Sequence, residues 1–371
     1  MNMKPSPHEG IDAIETYVAG ASKLSGASQV MKLSSNESPL GCSPEALKAI
    51  RETNAEGVSR YPDASAKPLR TALANHHDIE AERIICGAGS DELFHFLGRA
   101  YLRPGDEVLY SAHGFLVYPI VAQSANAVGV AVPEKSLRTD IDAILSAVTQ
   151  RTRVVFIANP NNPTGSYLNA DDIRRLHQGL RGDILLVLDG AYAEYVQADD
   201  YDAGIALARN ESNVLMTRTF SKAYGLAGLR VGWGYAAGDI IETLNKVRSP
   251  FNVSGVAQSA AIAALKDEKF LQSSIEHNNK WLPWLLENVN NAGFEAFPSV
   301  GNFLLVRIPP PLTAPEADAF LQKKGIILRR MGAYGLHDCL RLSIGLEREN
   351  RAVVEALGEI APQPRELAAS S

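Results

Sequence analysis

From residue 84 onward the sequence alternates short, continuous apolar runs with amphipathic stretches, and this constrains the fold more than any other feature. Apolar runs occupy residues 84–86, 108–111, 128–132, 153–158, 184–188 and 214–217. Several are apolar at every position, which predicts strands buried on both faces. Helix-period segments at 92–102, 140–149 and 169–180 lie between them. Strands alternating with helices predict a mainly parallel sheet covered on both sides, an α/β architecture.

Past residue 254 the pattern changes. A long helical stretch covers 256–291, with an interruption near Lys266 and Asp267. Short strands follow at 303–308 and 340–344, with a helix at 314–323 between them. These elements predict a smaller α+β domain. The expected division is a large domain at 31–255 and a small one formed by 1–30 together with 256–371. A chain of 371 residues exceeds one ordinary core, so two domains are the natural expectation.

The net charge of −6 and the lack of a long Lys/Arg block argue against a nucleic-acid partner. No run approaches the roughly 18 apolar residues that span a membrane, and Met1 to Gly20 is polar and acidic, unlike a signal peptide. Cys42, Cys86 and Cys339 are few, odd in number and far apart. They match no metal-ligand or disulfide framework, so a reduced cytoplasmic setting is expected.

In open α/β sheets, ligands sit beyond the carboxyl ends of the strands. Four polar clusters fall there. Cys86-Gly-Ala-Gly-Ser-Asp-Glu92 joins a strand to a helix, and the N–H groups of such a helix start suit a phosphate. A plain glycine turn is the alternative. Asn159-Pro-Asn-Asn-Pro-Thr-Gly165 is a rigid turn that could aim an amide at a ligand, or be only a turn. Asp189 ends an apolar strand, where an unpaired carboxylate would be costly; it therefore faces a partner or caps the following turn. Lys222 lies in a Gly/Ala-rich, largely apolar setting within Thr219-Phe-Ser-Lys-Ala-Tyr-Gly225. Desolvation there would lower its pKa and make it a nucleophile or base.

Together these clusters resemble the fold-type-I pyridoxal-phosphate-dependent aminotransferases, and within them most of all the histidinol-phosphate aminotransferase family. The resemblance covers nearly the whole chain. It rests on Leu33-Ser-Ser-Asn-Glu-Ser-Pro-Leu-Gly41, Arg60-Tyr-Pro-Asp63, the Gly-Ser-Asp-Glu turn, Asn-Asn-Pro-Thr-Gly, and Ser-Lys followed by Gly-Leu-Arg230. Gly325-Ile-Ile-Leu-Arg329 and Leu340-Arg-Leu-Ser-Ile-Gly345 complete it.

The resemblance implies that pyridoxal 5'-phosphate is held by Lys222 as a Schiff base and that Lys222 then shuttles a proton. It implies that Asp189 pairs with the cofactor's ring nitrogen and that Asn162 and Tyr192 bond its 3'-oxygen. Phe115 would stack on the ring. Gly89, Ser90, Asp91, Ser221 and Arg230 would hold the phosphate, with Asp91 acting through its N–H. Tyr61 would reach the phosphate of a neighbouring subunit, which implies a homodimer with shared sites. Arg329 and Arg341 would read the substrate anion, with Asn36 near it and Tyr17 at the distal end.

The implied reaction moves an amino group between glutamate and imidazole-acetol phosphate, giving histidinol phosphate and 2-oxoglutarate in histidine biosynthesis. An aromatic-amino-acid aminotransferase, possessing either this activity alone or both, is the alternative; a decarboxylase of an amino-acid phosphate is a third. A cofactor-binding module of a transcription regulator would need a basic DNA-binding domain, and only about 30 residues precede the first motif, against domain sizes of ~50 or more. Two positions depart from the family pattern: Ala19 in Tyr17-Val-Ala-Gly20 stands where proline is usual, and Gly190 where an acidic residue is common. Residues 330–336 form a loop between the two arginines, with Tyr334 either a lid or a surface aromatic.

Overall fold

The computed structural model describes residues 5–16, 20–21, 23–24 and 30–361. Seven strands form its central sheet: β1 (Ile84–Gly87), β2 (Glu107–Ser111), β3 (Val128–Val132), β4 (Thr152–Ala158), β5 (Leu185–Asp189), β6 (Val214–Thr219) and β7 (Gly232–Ala236). Their spatial order is β1-β7-β6-β5-β4-β2-β3. Neighbours from β6 across to β3 are parallel, whereas β7 runs antiparallel to both β1 and β6.

The unbroken apolar runs have a direct cause. Alternate residues of the inner strands β4, β5 and β6 feed two different cores. Val155, Ile157, Leu186, Leu188 and Met216 enter one, and Val154, Phe156, Leu185, Val187 and Leu215 enter the other. A one-residue slip would exchange the two sets, so the register is well specified. The runs predicted as parallel strands all lie in this sheet. β7 has no counterpart in the sequence reading, because Gly-Trp-Gly-Tyr-Ala lacks a β-branched run. Its glycines serve contact: a Cβ on Gly232 would lie 2.4 Å from the backbone nitrogen of Ser90.

A second sheet is antiparallel, in the order Glu295–Ala296, Phe303–Arg307, Cys339–Ser343, Arg329–Arg330. Its core gathers Leu304, Val306, Leu340 and Leu342 with Trp281, Leu285 and Val289 of the helix Glu268–Asn291. The helical stretch from 256 is indeed interrupted, since Asp267 both closes Gly255–Lys266 and caps the next helix by accepting from the Phe270 N–H.

Three segments pack away from the expected partition. The helix Gly255–Lys266 buries Ala257, Ala260, Ala261 and Ala264 in the core of the large sheet. Near the N-terminus, Glu9–Asp12 lies against the helix Val117–Ser124, with the Gly10 N–H bonded to Asn126 Oδ1 at 2.8 Å. Met31–Lys32 pairs in parallel with Ile326–Ile327, and Leu33 enters the second core. The stretch after it, 34–37, therefore crosses from the second sheet to the carboxyl ends of the first.

Candidate active site

A cavity of about 570 Å³ opens where the carboxyl ends of β4, β5 and β6 meet the second sheet. This volume suits a small-molecule ligand. Ser90, Asp91, Phe115, Asn162, Asp189, Tyr192, Ser221, Lys222, Arg230, Arg329 and Arg341 all face it, as does Asn36. Residues spread over 305 positions thus converge, because the sheet topology brings the carboxyl ends of its parallel strands to one side. Tyr61 is not among them: it is 82% exposed and stacks on Phe251, with centroids 4.4 Å apart. Tyr17 lies outside the described residues.

Lys222 follows β6 by three residues, and its Nζ donates to the Ser35 carbonyl at 3.2 Å. Burial, followed by the charge of Arg341, lowers its pKa to about 8. Asp189 closes β5, paired in register with Ala158 on one side and Thr217 on the other. Its Oδ2 accepts from the Tyr118 hydroxyl at 2.8 Å, while Oδ1 is buried without a partner. Burial raises its pKa to about 6. A buried carboxylate oxygen left unpaired costs about 1–3 kcal/mol or more. This atom is therefore placed to meet a cationic group that the fold itself does not supply.

The helix Ser90–Tyr101 starts at the cavity. Its N-cap, Gly89, has φ +94°, and a Cβ there would lie 2.2 Å from Arg230 Nη2. Only glycine lets the loop and the guanidinium approach so closely. Arg230 Nη2 bonds Asp91 Oδ1 at 2.8 Å, and Arg230 Nη1 bonds Ser221 Oγ at 3.2 Å. The Asp91 carboxylate thus faces Arg230, and its backbone N–H belongs to the helix start, where four N–H groups lack intrahelical acceptors. With the dipole, these donors make an anion cradle.

Arg341 and Arg329 are cross-strand partners in the second sheet. Arg341 is buried, donating through Nη2 to the Ser34 carbonyl at 2.8 Å and through Nη1 to Asn162 Oδ1, with Nε unpartnered. Asn36 holds the Tyr192 hydroxyl through Nδ2 at 2.9 Å and has its Oδ1 bonded by the Ser343 hydroxyl at 2.9 Å. Asn162 and Tyr192 are thus linked through side chains to Arg341 and Asn36.

Sequence reasoning missed Tyr118, the hydroxyl that holds Asp189. Its signal was present: Phe115 and Tyr118 are three residues apart at a helix start, so both face one side. It also missed Ser35, whose contribution is a backbone carbonyl and leaves no mark in residue type. Tyr334 is buried and lines the cavity, so it is not a surface aromatic.

A buried lysine, an aspartate with an unfilled oxygen and an anion cradle form the constellation of a pyridoxal-phosphate enzyme on a fold-type-I scaffold. The chain belongs to the aminotransferase class I and II family, which matches residues 28–357. It is 50% identical to the histidinol-phosphate aminotransferase of Paramagnetospirillum magneticum, over 96% of this chain and 98% of that protein. It is 49% identical to the enzyme of the same description from Maricaulis maris, with the same coverage. Among solved structures, the histidinol-phosphate aminotransferase of Sinorhizobium meliloti in complex with pyridoxal-5'-phosphate superposes with a TM-score of 0.84. The identity there is 31%, covering 90% of this chain and 91% of that one.

Proposed function

We propose that this chain catalyses transamination between glutamate and imidazole-acetol phosphate, yielding histidinol phosphate and 2-oxoglutarate, with pyridoxal phosphate as cofactor. The observation that carries the reading is its likeness to histidinol-phosphate aminotransferases over almost the full length. The cavity fits the cofactor on its own evidence: the unpaired Asp189 Oδ1 suits a protonated ring nitrogen, and the Gly89 cradle suits a phosphate.

When bound, pyridoxal phosphate supplies an aldehyde that a lysine can capture and a ring that accepts electrons from the substrate's reacting carbon. Lys222 is the capturing amine, and burial lets it shed its proton more readily than an exposed lysine. The same amine would hold and move the proton at the reacting carbon. Asp189, steadied by Tyr118, keeps a negative charge against the ring nitrogen. Asn162 and Tyr192 would orient the ring's oxygen, and Phe115 would cover one face. The N–H groups of Ser90 and Asp91, with Ser221 and Arg230, would hold the phosphate; Gly89 would allow the approach. Arg341 grips the substrate's carboxylate or phosphate, and Arg329 stands opposite it across the strand pair.

The active unit is a homodimer in which Tyr61, exposed beside Phe251, completes the partner's phosphate site. A cytoplasmic location accords with three free cysteines, Cys42, Cys86 and Cys339. Among the described residues no helix is long and apolar enough to cross a membrane. The domains divide near Asp267, with Gly255–Lys266 on the large side and Met31–Leu33 on the small one, a revision of the expected limits at 31 and 255. The decisive experiment compares kcat/KM for imidazole-acetol phosphate and phenylpyruvate with glutamate as donor. A 100-fold preference for the former is expected, equal to about 2.7 kcal/mol of transition-state discrimination. A preference of that size for phenylpyruvate would overturn the substrate assignment.

A further inference from the structure

His113 and Tyr334 sit on different parts of the fold and meet at the rim of the cavity. His113 follows β2, two residues before Phe115, in the loop of the large sheet. Tyr334 lies in the turn Gly332–Tyr334, between Arg329 and Arg341 of the second sheet. The His113 Nδ1 is 2.7 Å from the Tyr334 carbonyl oxygen. A carbonyl only accepts, so Nδ1 carries the proton and donates. The backbone N–H of His113 is itself tied to Glu134 Oε1 at 3.3 Å, and Glu134 also accepts from the Ser111 hydroxyl at 2.5 Å. The histidine therefore projects from a braced loop.

On the other side, Tyr334 is 5% exposed and faces the cavity. Met331, Tyr334 and Leu336 are packed together with Leu116 of the large-sheet loop, so the turn is seated by apolar contact as well. Gly335 has φ +76°, which lets the chain turn away directly after the tyrosine. Apolar contact is non-directional; the turn is closed by its own backbone bond from the Tyr334 N–H to the Met331 carbonyl at 2.9 Å, and the histidine bond is a directional link that ties it to the loop of the large sheet.

We infer that His113 is a positioning residue and Tyr334 a specificity-determining one: the bond between them sets the wall against which a planar, ring-bearing keto substrate is read. This rests on the transaminase reading above. Tyr334 lies between the two anion-reading arginines in sequence and shares the cavity with both. A flat imidazole or phenyl ring gains from an aromatic wall at that point, while the flexible methylenes of glutamate offer it no face. Loosening the wall therefore affects the ring-bearing partner and spares the amino donor.

The test uses the holoenzyme and the variants His113→Ala, His113→Asn and Tyr334→Ala. In His113→Ala, KM for imidazole-acetol phosphate is expected to rise about five- to tenfold, the scale of one neutral hydrogen bond. Its kcat, the KM for glutamate and the bound cofactor's absorbance should stay within about twofold of wild type on the same scale. His113→Asn, whose amide can still donate, should recover most of the loss. Adding His113→Ala to Tyr334→Ala should cost little more than Tyr334→Ala alone, because the two act through one wall. An equal rise in both KM values, an unchanged KM for the ring-bearing substrate, or additive variants would overturn the inference. If wild type prefers phenylpyruvate, the substrate assignment fails separately, and the same comparison is run with that flat ring.

Discussion

The two halves of the cavity are built differently. The half that carries Lys222, Asp189 and the anion cradle rests on the ends of parallel strands within two packed cores. The half that carries Arg329 and Tyr334 rests on a two-residue strand and a short turn of the second sheet. In the first half, burial alters the chemistry of the groups themselves: the lysine is lowered to about 8 and the aspartate raised to about 6. In the second, Arg341 is buried but Arg329 is only half-buried, and the turn depends on a few directional bonds. On the roles proposed for these residues, chemistry common to many substrates falls on the rigid frame, and selection among them on the part that sequence change can most readily adjust.

If that contrast holds, damage to the first half removes the reaction, whereas damage to the second redistributes it among substrates. The largest effect is expected for Lys222→Ala, which should lower turnover by about 10⁴ and abolish the covalent cofactor absorbance. Turnover persisting at the wild-type rate would break the comparison at its centre. Asp189→Asn comes next, with kcat reduced by about 10²–10³ from loss of a buried electrostatic contact, and weaker cofactor binding measured by titration of the apoprotein. Arg341→Lys should raise KM for the anionic substrates by about 10- to 100-fold with a smaller change in kcat, because a point charge cannot reproduce the two-point fork.

The pH dependence sharpens the contrast with a smaller effect. Lys222 has its folded pKa below that of an ordinary lysine, so between about 8 and 10.5 the unfolded chain holds a proton that the folded apoprotein does not. Stability of the apoprotein should therefore rise with pH across that window, and capture of pyridoxal phosphate should show a midpoint near 8 in a stopped-flow absorbance titration. Asp189 is displaced the other way. Its folded pKa is raised, so its stabilising contribution is present below about 3.8 and is lost as pH rises through about 6. Cofactor affinity should correspondingly fall below pH 6, and Asp189→Asn should flatten that fall. The smallest effect is expected for Asp91→Asn: its pair with Arg230 is nearly half-exposed on both sides, so the melting temperature should change by no more than about 1 kcal/mol implies.

Much of this site is legible in the sequence because it depends on position along a strand. Asp189 and Lys222 each follow an apolar run, and in a parallel sheet such ends share one edge whatever the connecting helices do. The same logic located the Gly89–Asp91 turn. β7 escaped that logic, because its glycines serve close packing, Gly232 under Ser90 and Gly234 against Leu93 and Leu215, rather than strand propensity. Ser35 escaped because a backbone carbonyl leaves no mark in residue type, and Tyr118 escaped, despite its spacing from Phe115, because the carboxylate it holds lies on a strand far along the chain.

The residue order by itself therefore determined that the chain forms a doubly covered, mainly parallel sheet, and which ionisable groups end its parallel strands. Continuous apolar runs can be buried only in that way, and polar groups at their ends have nowhere else to face. The tertiary structure alone decided how strongly those groups are perturbed, because desolvation and the nearness of Arg341 to Lys222 arise from segments more than a hundred residues apart. It alone also joined His113 to Tyr334 across 221 positions. A contact of that kind is a property of how two sheets meet, which neither segment's local pattern encodes.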